Sequence, residues 1–263
     1  MTGDPTLYAG SAEYYARGRA AYPPELAAAI VAEAGLDGSG RLLDVGCGPG
    51  SLTLLLAGSF EEAVGVDADA DMLLEARRLA GKVRNCRWVH LRAEDLPAGL
   101  GRFRLVTFAQ SFHWLDRPRV AATVRGMLEP GGFCAHVHAT THQGVDGSVP
   151  HTEITELVRS YLGPVRRAGQ GSLPNGTASG EAEVYRAAGF HGPRRFEVPG
   201  RVVTRTADEV VAGVFSLSSA APHLFGERQA AFEAELRELL RRVSPGGVFS
   251  ERLGEIAVDL WSP

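Results

Sequence analysis

The segment LLDVGCGPGSLTLLLA, residues 42–57, constrains the fold of this chain more than any other stretch. Gly46, Gly48 and Gly50 recur at every second position between an apolar run that reads as a strand and a leucine-rich run that reads as a helix. Small residues in such a turn let a ligand approach the backbone, and the N–H groups opening the next helix favour a negatively charged one. The spacing is GxGxG. A dinucleotide fingerprint of the GxGxxG kind would need its third glycine where Ser51 stands, which argues against a nicotinamide ligand.

The same strand-turn-helix pattern returns along the chain. Strands are expected at residues 41–45, 63–66, 87–91, 105–109 and 133–138, and helices at 25–34, 51–57, 70–79 and 120–128. Pro23 and Pro24 suit the start of the first helix and Gly35 its end. Strands alternating with helices imply an α/β fold with a parallel sheet covered on both faces. Further on, helices are expected at 153–162, 181–188, 207–219 and 232–243, and strands at 194–201 and 255–261, the last closing the sheet.

Composition narrows the function classes. The net charge of −4 lacks the basic balance expected of a protein that lives on phosphate backbones, so no nucleic-acid partner is expected. The apolar runs at 52–57 and 105–109 fall far short of the roughly 20 residues that span a bilayer, so no membrane partner is expected either. Cys47, Cys86 and Cys134 are widely spaced, odd in number and without CxxC pairing, which argues against a disulfide framework or zinc site and for a reducing cytoplasm.

The sequence DVGCGPG, with Asp44 two residues ahead of the first glycine, resembles motif I of the class I S-adenosylmethionine-dependent methyltransferases. The resemblance implies a Rossmann-like, seven-stranded, mostly parallel sheet with an antiparallel last strand, helices on both faces and a helical lid. It implies S-adenosyl-L-methionine as cofactor, with Asp44, Gly46, Gly48 and Gly50 at its methionine end. Asp67, 17 positions after Gly50, stands where such folds place a carboxylate for the ribose hydroxyls, and Ala68 follows it. Ala93, through its N–H, and Glu94 or Asp95, through a carboxylate, match the adenine-contacting segment, although Arg92 stands where the family often has Asp.

Gln110 to Asp116, QSFHWLD, resembles the post-strand motif of a small-molecule subgroup. Gln110 is a cofactor contact by position, Phe112 and Trp114 offer ring faces to a sulfonium, and His113 is a base for an acceptor hydroxyl or amine. Packing support is an equally good reading of His113 and Trp114. In YYARGRAAYPPE, Tyr15 and Arg19 match the Tyr and Arg that touch the methionine end, and a guanidinium fork suits a carboxylate. His142 is a second base candidate. His136, His138, His142 and His151 crowd together, but ligand spacing is poor and no metal is expected.

The expectation is therefore a single domain over residues 1–263, with lid or acceptor-site segments at 1–24, 146–180 and 204–245. Its function would be methyl transfer to a small-molecule acceptor through O, N or C, in specialised metabolism. The alternative is a protein that binds the same cofactor as a scaffold or for a non-methylating reaction.

Overall fold

Short apolar runs that end in glycine or aspartate turns build the central sheet. In the computed structural model, which describes residues 10–168, 171–173 and 180–263, its strands are β1 (Arg41–Val45), β2 (Glu62–Asp67), β3 (Cys86–His90) and β4 (Phe103–Ala109). They continue with β5 (Leu128–His138), β6 (His191–Val198) and β7 (Ile256–Ser262). The order is β3–β2–β1–β4–β5–β7–β6, and β7 runs antiparallel to both neighbours. This is the seven-stranded, mostly parallel α/β sheet that the motif pattern implied.

Alternate residues of β1 enter opposite cores. Leu42 packs with Leu105, Ala135, and Leu26 and Ile30 of the helix Pro24–Ala34; Leu43 and Val45 pack with Phe108, Val120 and Val124 on the other face. Because both faces are covered, the inner strands are apolar throughout rather than alternating. Truncating fully buried Leu43 to Ala should cost about 2–5 kcal/mol. Parallel strands carry their chain ends to one edge, so the turns after β1, β2, β3 and β4 gather at the carboxyl edge.

The chain divides into two compact units. One comprises Tyr22–Ala139, Ser179–Val198 and Ile256–Pro263 and carries the large sheet. The other comprises Met1–Ala21, Thr140–Ala178 and Pro199–Glu255. Parts of the expected lid segments, at 1–9, 169–170 and 174–179, lie outside the described residues.

The second unit is not purely helical. Its helices Ala12–Gly18, His151–Leu162, Ala207–Phe215 and Gln229–Val243 bury Ile154, Val158, Val211, Phe215, Phe232 and Leu236 around Phe249. Val202–Thr206, Val248–Arg252 and Asp146–Gly147 pair as a small antiparallel sheet that the pattern reading missed. Two of its inward positions hold Arg205 and Glu251, a buried ion pair, so the apolar alternation that announces a strand is broken. Similarly, β6 ends at Val198 rather than residue 201, because Pro199 follows and has no N–H for the ladder. No described helix is long and apolar enough to cross a membrane.

Candidate active site

The glycine turn sits between β1 and the helix Ser51–Leu56, and its three glycines have different reasons to be small. All three adopt positive φ, +68° at Gly46, +53° at Gly48 and +79° at Gly50. A Cβ on Gly46 would stand 2.5 Å from the Cβ of Ser111, and one on Gly50 would enter the Trp88 indole, 2.8 Å from Cζ3. A Cβ on Gly48 meets nothing within 4 Å. Ligand approach was the expected reason at all three; two are glycine at least in part because protein side chains already occupy the space. Gly48 faces open space.

Asp44 is a strut. It is 1% exposed, and its two oxygens accept hydrogen bonds from Thr53 Oγ1 at 2.6 Å and Thr107 Oγ1 at 2.8 Å. Burial raises its pKa, against the two hydroxyls that favour the ionised form. Its carboxylate ties β1 to β4 and to the helix after the glycine turn.

Asp67, at the end of β2, is more available. Oδ2 accepts the Gly48 N–H at 2.8 Å and Oδ1 accepts the Asp69 N–H at 2.9 Å, so each oxygen keeps a second lone pair. Burial pushes its pKa up to about 6 in spite of these two donors. Asp69 instead caps the helix Ala70–Ala80 through the N–H groups of Asp71 and Met72. His90 Nε2 donates to the Ala68 carbonyl at 2.9 Å and so braces the turn that carries Asp67. His90 was missed because one histidine at a strand end carries no signal.

Ala93 opens the single turn Ala93–Asp95 and is buried; Asp95 is exposed. Glu94 Oε1 accepts the Asp116 N–H at 3.1 Å and Oε2 lies 3.6 Å from Arg92, which links the turns after β3 and β4. Gln110, leaving β4, has φ +59°, a left-handed backbone that a long side chain rarely adopts. Ser111 Oγ donates to the Val45 carbonyl at 2.5 Å and latches this turn to the glycine turn. Nothing in the sequence reading marked Ser111 or Trp88.

The QSFHWLD motif separates into inward and outward residues. Phe112 is fully buried and stacks on Tyr185 with ring centroids 4.9 Å apart, so its ring faces the core rather than a sulfonium. His113 is half-buried beside Trp114. Its pKa is lowered chiefly by burial, with Glu181 opposing and Arg117 reinforcing the shift. It is therefore neutral at pH 7 and able to accept a proton.

Tyr15, Arg19 and His142 belong to the second unit. Arg19 Nε donates to Ser216 Oγ at 2.8 Å, one terminal nitrogen donates to the Ser216 carbonyl at 3.1 Å, and the other meets His142 Nδ1 at 3.1 Å. The guanidinium also lies over the Tyr15 ring, 4.6 Å from its centroid. Burial, with the charges of Arg19 and others behind it, lowers the pKa of His142 to about 3. The neutral ring accepts from Arg19 in this structure.

His136 and His138 stack with centroids 4.4 Å apart, but they turn to different partners, Tyr185 Oη at 3.3 Å and Asp259 Oδ2 at 2.9 Å. Among the described residues no three His, Cys, Asp or Glu side chains converge as metal ligands would.

A Rossmann-like sheet with this carboxyl edge suits a cofactor-binding fold, and comparison narrows the class. Residues 42–132 match a family model described as a methyltransferase domain, a stretch that holds the glycine turn, Asp67, Glu94, Gln110 and His113. That match, the curated methyltransferases below and the fold together support a class I S-adenosylmethionine-dependent methyltransferase, a family whose cofactor is S-adenosylmethionine. An uncharacterised methyltransferase of Mycobacterium tuberculosis is 34% identical over 164 residues, 62% of this chain and 63% of that protein. A trans-aconitate 2-methyltransferase of Rhodopseudomonas palustris is 37% identical over 111 residues, 40% of this chain and 41% of that protein. The chain thus spans less than two thirds of the length of these curated relatives. The YcgJ protein of Bacillus subtilis shares the fold, with TM-score 0.52 at 19% identity over 90% of this chain and 98% of that one. The open face of Gly48 beside the spare lone pairs of Asp67 fits the cofactor's ribose.

Proposed function

We propose that this protein transfers the methyl group of S-adenosylmethionine to a small-molecule acceptor, through oxygen, nitrogen or carbon, in the cytoplasm. The observation that carries the reading is the pairing of Asp67 with the N–H of Gly48, the one glycine of the turn's three whose face is open. When bound, the cofactor supplies a methyl group on an electrophilic sulfonium.

The chain's own residues then have a limited task. Asp67 accepts the ribose hydroxyls, the Gly46–Gly50 turn and Ala68 present backbone to the cofactor, and Ala93 and Glu94 read the adenine edge. Gln110 holds its amino-acid end. Asp44 acts through the turn it braces. His113 takes the acceptor's proton where the acceptor is a hydroxyl or an amine. Alignment and exclusion of water supply the rest of the rate.

Calorimetry with S-adenosylmethionine, S-adenosylhomocysteine and NAD tests the cofactor assignment, with micromolar affinity, about −8 kcal/mol, expected for the first two. Heat with NAD and none with either sulfur compound would overturn it. Release of S-adenosylhomocysteine across a panel of phenols, amines, carboxylates and activated carbon acids then tests transfer; binding without release in any of them would favour a scaffold role.

A further inference from the structure

Positive charge gathers where the helix Ala70–Ala80 hands over to β3. Residues 76–93 hold six Arg and Lys and no Asp or Glu, in a chain whose acids outnumber its bases 31 to 27. Arg77, Arg78, Lys82, Arg84 and Arg87 are all exposed. Arg78 pairs with Glu75 at 2.6 Å and Arg87 lies 3.7 Å from Glu62, whereas among the described residues Lys82 and Arg84 meet no acid. Asp69 and Asp71 stand at the other end of the helix. Cations in a last helical turn offset the helix dipole, which accounts for Arg77 and Arg78. Lys82, Arg84 and Arg87 lie beyond that turn, where the dipole gives no reason for them.

Apolar side chains stand among these charges. Leu74 is 66% exposed, Val83 41% and Leu79 38%. Leu74, Arg77 and Arg78, at i, i+3 and i+4, share one face of the helix. The turn that follows is braced: the Val83 N–H donates to the Ala80 carbonyl at 2.8 Å, and Asn85 Nδ2 donates to the carbonyls of Ala57 and Phe60 at 2.8 and 2.9 Å. Arg77 reaches the Trp88 carbonyl at 3.4 Å and ties the helix to β3. Since β3 is the outermost strand and runs parallel to β2, the turn before it lies at the amino edge of the sheet, opposite the edge that carries the glycine turn.

We propose that this corner is a docking surface for an anionic lipid bilayer, with Arg77, Lys82 and Arg84 on the headgroup phosphates and Leu74, Leu79 and Val83 sunk between the headgroups. The expectation of no membrane partner rested on the lack of a spanning run, and a surface contact needs none. The exposed aliphatic side chains favour lipid over nucleic acid, whose phosphate backbone has no use for them. The nearby indole of Trp88 is packed against Gly50 and Gly65 instead of being offered to a base. Docking here is independent of the cofactor reading, which concerns the opposite edge.

The test is sedimentation of the full chain with vesicles of phosphatidylcholine alone and of equal parts phosphatidylcholine and phosphatidylglycerol. Only the anionic vesicles should carry the protein down, and raising the salt from about 0.1 M to about 1 M, which shortens the screening length from about 10 Å to about 3 Å, should release it. Lys82→Glu with Arg84→Glu should weaken binding about tenfold or more. Leu74→Ser with Val83→Ser should weaken it about fivefold while keeping every charge. Arg241→Glu with Arg242→Glu, exposed cations of the helix Gln229–Val243, should change nothing. No binding to anionic vesicles, equal binding to neutral ones, or full binding by the Lys82 and Arg84 variant would overturn the proposal. Serine variants that bind as the parent does, with a DNA duplex bound more tightly than the vesicles, would assign the surface to nucleic acid and overturn it too. The parent's own lipid and salt dependence decides the matter should a variant fail to fold.

Discussion

Gly50 lies against the indole of Trp88, so closely that a Cβ would stand 2.8 Å from ring carbon Cζ3 and nearer still to Cη2. The same ring meets the place of a Cβ on Gly65, 2.6 Å from Cζ3. Trp88 thus fills a slot made by two glycines on neighbouring segments. Gly50→Ala should cost more than about 2 kcal/mol of stability, from overpacking and a left-handed backbone together. Gly48→Ala should cost about 1 kcal/mol, since only its φ of +53° resists the substitution, yet weaken cofactor binding more. Thermal melts and calorimetry on both variants check the inversion.

Cofactor affinity should depend on the ionisation of Asp67. Hydroxyl donors favour the carboxylate, whose pKa is about 6 in the free protein. Affinity should therefore be level above that pH and fall as the pH drops through it. Asp67→Ala should weaken binding by about 1.5–3 kcal/mol with the fold intact, and remove this step. Titrations at several pH values between 5 and 8 provide the measurement; a parent without the step argues against Asp67 as the diol acceptor.

The free protein should show the opposite trend at this residue. The folded pKa is raised above the unfolded one, so the folded state binds more protons between about pH 4 and pH 6, and the stability that Asp67 contributes falls as pH rises across that window. Comparing melts of the parent and Asp67→Asn over it isolates the contribution.

Gln110→Gly should stabilise the protein by about 1 kcal/mol, because glycine takes a φ of +59° without strain, and should lower turnover by removing the side chain. An unchanged turnover with a higher melting temperature would reduce Gln110 to a turn residue.

His113→Gln should reduce turnover about 100-fold with a hydroxyl or amine acceptor and leave S-adenosylhomocysteine affinity unchanged. The base must be neutral, and burial lowers its pKa below the ordinary value of 6.5, so the parent's acid limb should lie below that pH and vanish in the variant. A retained limb assigns the proton to another group.

The order of elements in the large sheet was legible in the sequence because each element has a local signal, and the antiparallel closing strand followed from the resemblance that the glycine motif carries. Hydrophobic period, the GxGxG turn and the aspartate ending β2 are properties of a few consecutive residues. Partnership across the chain has no such signature. That Thr53 and Thr107 both donate to the buried Asp44, that Phe112 turns inward onto Tyr185, and that His142 faces Arg19 depend on residues distant in sequence. Arg205 and Glu251 make the same point for the fold, since two charges at inward strand positions erase the apolar alternation and become legible only as a buried pair. Sequence determined which residues carry chemistry, because residue type is local; tertiary structure decided which remain available for it, because a hydrogen-bonding group already satisfied inside the protein has less to offer a ligand.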